Sequence, residues 1–157
     1  MGDDHHVGHV HQSEYDSLIK DCGFDRFEIS VLEISRRLFS SFADPLSHGW
    51  MDAFERAEEI FPPPFGSTIT LALVRCIRLL RTSRTTRFSF IKADCRSCSR
   101  WVTQEERHFI SILRAARHSR RSEAVTFATM VCEGQEPGQL VDGFERMCVI
   151  IGEGPLR

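Results

Sequence analysis

The sequence has no run of eighteen or more apolar residues, so no segment of it reads as a membrane span. Its first residues, MGDDHHVGHVHQ, have neither the basic start nor the apolar stretch of a secretory leader, and the expected location is the cytoplasm. The lack of membrane spans counts against a voltage-sensing role for an arginine-rich helix. There is no internal repeat, no phosphate-cradling glycine loop, no Ser-His-Asp or Cys-His set in a supporting context, and no histidine pair on a helix with an intervening acid. The sequence grounds for the corresponding hydrolase, nucleotide-binding and metalloprotease chemistries are therefore missing. Lysine is nearly absent, two residues against eighteen arginines, so the basic character of the chain is carried almost wholly by guanidinium groups.

What is present is the material of one domain. At 157 residues, 41% hydrophobic and 27% charged, the chain is long enough to bury a core of its own. The net charge of −2 conceals an asymmetry: residues 1 to 65 carry a balance of −8, residues 66 to 121 one of +10, and residues 122 to 157 one of −4. A basic middle between acidic ends is the main global feature.

The first twenty residues lack apolar periodicity and contain the tract HHVGHVH, which predicts a flexible tail over 1–20 and a single helical domain over 21–153. At 100° per residue, Phe24, Phe27, Val31, Leu32, Ile34, Leu38, Phe39 and Phe42 share one sector, with Arg26, Glu33, Arg36 and Arg37 opposite, and Asp25 with Glu28 forms a capping box. A second helix through SHGWMDAFERAEEIF turns Trp50, Phe54, Ala57 and Phe61 inward and stops at the prolines 62 to 64. Further on, Thr103 and Glu106 cap a helix with Phe109, Ile112, Leu113 and Ala116 on one side. Ser122 opens another, ended by Gly134, and Pro137 starts a last one with Leu140, Phe144, Met147, Cys148 and Ile151 inward. Short connections between amphipathic helices predict an all-α fold, a compact antiparallel bundle of five or six helices.

Five arginines, Arg75, Arg78, Arg81, Arg84 and Arg87, recur at every third position. In a helix starting near Ser67, Ile69, Ala72, Leu73, Cys76, Ile77, Leu79 and Leu80 share one side, and Arg75, Arg78 and Arg81 share the other. A step of three falls short of a 3.6-residue turn, so Arg84 and Arg87 would drift onto the apolar side, and the helix should end between Arg81 and Ser83. The following TTRFSFIK alternates as a strand does, which predicts at most one short strand near 86–91, paired with another short segment or with itself across a homodimer.

Cys95-Arg96-Ser97-Cys98 is the motif with chemical content. Two thiols at this spacing can chelate Zn²⁺, for which His108 is the nearest further ligand, with His5, His6, His9 and His11 available if the tail docks. The same pair could serve as a redox dithiol, since Arg96 and Arg100 favour a thiolate. No βαβ pattern surrounds it, and a helical peroxidase of the alkylhydroperoxidase type has a histidine four positions after the second cysteine, where this chain has Val102. The third reading is two loop cysteines with no shared task. The basic middle, with Arg75, Arg78, Arg81, Arg84, Arg87, Arg96 and Arg100, suits the phosphates of a nucleic acid or a protein partner. If the target is nucleic acid, recognition would not be sequence-specific, because the helix after Ser119-Arg120-Arg121 carries no base-reading side chain. The expectation is a small non-catalytic binding or regulatory protein; a thiol-disulfide oxidoreductase or peroxidase using Cys95 and Cys98 is the alternative. The bland counter-reading of the basic middle is internal neutralisation by the acidic first third.

Overall fold

The capping box expected at Asp25 opens the first helix in the computed structural model, which describes residues 16–152. The Asp25 side chain accepts from the Glu28 amide, the Glu28 carboxylate accepts from the Asp25 amide, and α1 runs over Arg26–Ala43. Asp44-Pro45 begins a 3-10 turn, Pro45–Ser47, and His48 in the left-handed region leads into α2, Gly49–Ile60. The three prolines reverse the chain into α3, Phe65–Ser83, which ends where the drift of its arginine row requires. After residues 84–100, a helix-free strap, come α4 over Gln104–Arg117, α5 over Arg121–Val131 and α6 over Pro137–Gly152. Six α-helices among the described residues form the all-α bundle that the apolar periodicity predicts.

The helices meet through the predicted stripes. Val31, Leu32, Ile34 and Leu38 of α1, Ile69, Leu73, Cys76, Ile77 and Leu80 of α3, Phe109, Ile112 and Leu113 of α4, and Leu140, Phe144 and Met147 of α6 are buried in one core. Each such Leu, Ile or Phe contributes about 1.5–3 kcal/mol by leaving water. The α2–α3 crossing is closer than side chains normally permit: a Cβ on Gly66 would stand 2.7 Å from the Ala57 carbonyl oxygen and 2.9 Å from the Glu58 nitrogen. Glycine at 66, facing the fully buried Ala57, is what lets these helices touch backbone to backbone.

Four expectations need correction. Trp50 is 50% exposed, as the inward positions of α2 are taken by Ala53 and Ala57, whose small side chains suit the close crossing. Arg36, placed by periodicity on the wet side of α1, is buried, because a carboxylate of α4 meets it there. The segment 86–91 forms no strand among the described residues. The two strands among the described residues are β1, Ser17–Leu18, and β2, Trp101–Val102, joined antiparallel with Ser17 opposite Val102. Residues 16–20, assigned to the tail, are therefore part of the fold up to the 3-10 turn Ile19–Asp21; residues 1–15 of that tail, with its histidines, lie outside the described residues.

Candidate functional site

The strap is the centre of the polar chemistry, and its attachment explains why it is not a strand. Backbone amides that a strand would offer to a neighbour are taken by side-chain carboxylates. Glu133, after α5, accepts from the amides and hydroxyls of Thr85 and Thr86. Glu105 accepts from the Ser89 amide, and Glu106 from the Ile91 amide at 3.0 Å. The amides of Thr85, Thr86, Ser89 and Ile91 are thereby occupied by side chains rather than by a neighbouring strand. Hydrogen bonds from the Thr86 hydroxyl and from the amide and hydroxyl of Thr85 hold the Glu133 carboxyl down at about 2.

Glu106 does more than close the capping box with Thr103. Its side chain is fully buried, and its two oxygens receive Arg36 Nε at 2.8 Å and Nη2 at 2.9 Å, besides the amides of Ile91 and Thr103. The other donors of Arg36 reach the carbonyls of Ser99 at 3.1 Å and Trp101 at 2.6 Å. One buried fork-to-carboxylate pair thus ties α1, α4, the middle of the strap at Ile91 and its last residues together. Sequence reading finds Glu106 only as a cap, and misses its role. A glutamate that caps the helix directly after an irregular segment is the available signal.

The structure sorts the arginines into two classes. Arg114 and Arg117 pair with Glu28 and Asp25, Arg120 with Glu123, and Arg121 with Asp142 and Glu145, so this part of the basic middle is neutralised internally. Arg84 joins them. Its side chain is 5% exposed, donates to the Val131 carbonyl at 2.7 Å and to Glu105 at 2.6 Å, and lies over the Phe88 ring. Of the seven arginines expected to face a partner, this one is turned inward to hold the strap.

Arg75, Arg78, Arg81, Arg87, Arg96 and Arg100 are exposed, and among the described residues no carboxylate lies within 4.0 Å of their guanidinium groups. Arg81 sits over the Phe42 ring, 4.8 Å from its centroid. Arg75 and Arg78 share the outer stripe of α3 with the exposed Leu71. Phe88 and Phe90 offer no stacking platform for bases, since both pack on Phe39 in the core, at centroid distances of 4.6 and 5.6 Å.

Cys95 and Cys98 are brought together on a tight turn, where the Cys98 and Ser99 amides donate to the Cys95 carbonyl, and are joined as a disulfide with Cα atoms 5.3 Å apart. A ring closed over so few residues restricts the unfolded chain by only about 2 kcal/mol on the chain-entropy relation. His108 does not complete a metal site with them. Its imidazole lies against Phe127, centroids 5.7 Å apart, and burial, helped by Arg107, lowers its pKa. Among the described residues no group of three or more His, Cys, Asp or Glu is placed to hold a metal ion. Between the end of α3 and the α5–α6 turn lies an open cavity of about 400 Å³, in whose wall Arg84, Thr85 and Glu133 are engaged with the strap.

No family model matches the chain, and no curated protein or solved structure is similar enough to count as a match.

Proposed function

We propose that this protein acts by binding, docking an anionic macromolecule, a phosphate backbone or an acidic protein surface, on its unpaired arginines. The observation that carries this reading is the sorting itself. A chain that places carboxylates against Arg36, Arg84, Arg114, Arg117, Arg120 and Arg121 leaves Arg75, Arg78, Arg87, Arg96 and Arg100 without an ionic partner among the described residues. Internal neutralisation accounts for the first group and not for the second. Exposed guanidinium groups with free forks match phosphate and carboxylate oxygens in pairs.

Recognition on this reading is by charge, without base specificity. The corner between α4 and α5, where a helix-turn-helix would place its reading helix, has its arginines committed to Glu123, Asp142 and Glu145. Zinc at Cys95 and Cys98 would need the disulfide opened and two further donors, and it is not required for the docking role. No described helix is long and apolar enough to cross a membrane, so the reading includes no membrane span.

The test is fluorescence anisotropy with a labelled single-stranded oligonucleotide and a labelled polyglutamate peptide over a salt series. Binding of at least one probe should weaken steeply with salt, and Arg75→Glu/Arg78→Glu should lower affinity about tenfold and flatten the salt dependence. Binding of neither probe at low salt, or binding indifferent to this double change, refutes the reading.

A further inference from the structure

We propose that Cys95 and Cys98 form a reversible dithiol–disulfide couple that exchanges with thiol and disulfide substrates, Cys95 being the sulfur that meets the external reagent and Cys98 the resolving one. This goes beyond the docking reading and does not depend on it.

The geometry is asymmetric in the way such exchange requires. Cys95 is half-buried whereas Cys98 is only 6% exposed, so an incoming sulfur reaches the first and not the second. Ser97 Oγ stands 3.5 Å from Cys95 Sγ and 3.8 Å from Cys98 Sγ. In the disulfide neither sulfur carries a proton, so the hydroxyl is the donor, and it is within reach of whichever sulfur becomes the thiolate. Arg96 and Arg100 flank the pair without an ionic partner among the described residues, adding positive charge that favours the thiolate.

The turn does not depend on the sulfur–sulfur bond for its shape. The Cys98 and Ser99 amides close it on the Cys95 carbonyl, and buried Arg36 grips the Ser99 and Trp101 carbonyls just beyond it. Opening the bond therefore leaves both sulfurs positioned to close it again. The other cysteines lack these features: burial raises Cys22 and Cys132, and it pushes Cys76 to about 12 and Cys148 to about 11, leaving them as thiols at neutral pH.

In the reductive direction an external thiolate attacks Cys95 Sγ. The bond to Cys98 breaks, and its electron pair leaves on Cys98 Sγ, which takes a proton from water. A second thiolate attacks the external sulfur of the mixed disulfide and releases Cys95 as a thiolate together with the oxidised donor. Two electrons have then passed to the protein. In reverse, the Cys95 thiolate attacks a disulfide substrate, and Cys98 displaces the mixed disulfide.

The experiment uses the full chain in its folded state. Millimolar dithiothreitol should expose two additional thiols, mapped by alkylation and mass spectrometry to Cys95 and Cys98, with an unchanged helical circular dichroism spectrum. Glutathione disulfide should then restore the bond. In Cys98→Ser, glutathione disulfide should leave one adduct on Cys95, and Cys95→Ser should form its adduct on Cys98 at least tenfold more slowly. A bond that opens only in denaturant, equal adduct rates in the two variants, or adducts on Cys22 instead overturns the proposal. The wild-type reduction and reoxidation decide whether the couple is reversible even if a variant fails to fold.

Discussion

Removing the Glu106 carboxylate should cost this protein a large part of its stability. Glu106→Ala leaves the Arg36 guanidinium, 5% exposed, with two carbonyls and no counter-charge, and it strands the amides of Ile91 and Thr103. Breaking a buried pair by removing one partner costs about 3–5 kcal/mol. Domains of this class are stable by about 5–15 kcal/mol in total. For a chain of this size the loss corresponds to a melting temperature lowered by about 6–20 °C. Glu106→Gln should not rescue it, since the amide group turns an NH₂ toward donors. The double variant Arg36→Leu/Glu106→Leu removes the uncompensated charge but not the stranded amides, so its cost should fall short of the two single costs combined by about 1–3 kcal/mol. Urea unfolding with linear extrapolation measures the wild type, Glu106→Ala, Glu106→Gln, the single variants Arg36→Leu and Glu106→Leu, and the double variant. A Glu106→Ala cost below about 1 kcal/mol, or a double variant equal to the combined singles, would show that the pair is not the keystone argued here.

Three further outcomes follow from the same contacts. Arg84→Ala should destabilise the fold by about 2–3 kcal/mol through its lost charge-assisted bonds, whereas Arg78→Ala on the outer stripe of α3 should stay within about 0.5 kcal/mol; urea midpoints separate them. Gly66→Ala should cost about 1–3 kcal/mol, because its new Cβ meets backbone atoms of α2 that cannot rotate away, and an unchanged midpoint would contradict the close crossing. The Glu133 carboxyl lies below its ordinary 4.5, at about 2, so the stability it lends the strap is complete above pH 4.5 and is lost as pH falls toward 2. Following the Glu133 carboxyl and the Thr85 and Thr86 amides by NMR checks this, and a midpoint near 4.5 would refute it.

The helices were readable because their signals are local. Asp25 and Glu28, Thr103 and Glu106, and Pro137 mark starts within a few residues of one another, and the apolar stripe of α3 foretold both its outward arginines and its end near Ser83. The misreadings concern residues whose environment is set from far along the chain. Arg36 is drawn inward by a glutamate seventy positions away, and Arg84 by Glu105 and by the carbonyl of Val131. Trp50 looked like core by residue type, but the α2 crossing is too close to admit an indole. The alternating pattern of residues 86–91 was real at Phe88 and Phe90, which pack against the core, yet alternation alone does not reveal that carboxylates would replace a neighbouring strand. At the candidate site, the thiol spacing of Cys95 and Cys98 and the charge of Arg96 and Arg100 were legible, while the burial difference between the two sulfurs and the position of Ser97 needed three dimensions.

Side-chain anchoring of the strap also bears on how the molecule can be altered. Paired strands demand matched lengths on both sides, but here the grips fall at separate points, near residues 84–91 and 99–101, and the stretch between them is held by its own turn. Insertions at residues 92–94 would lengthen a surface excursion at small entropic cost and leave the helices in register. That is where a fluorophore site or an epitope can be grafted onto this protein without retuning its core.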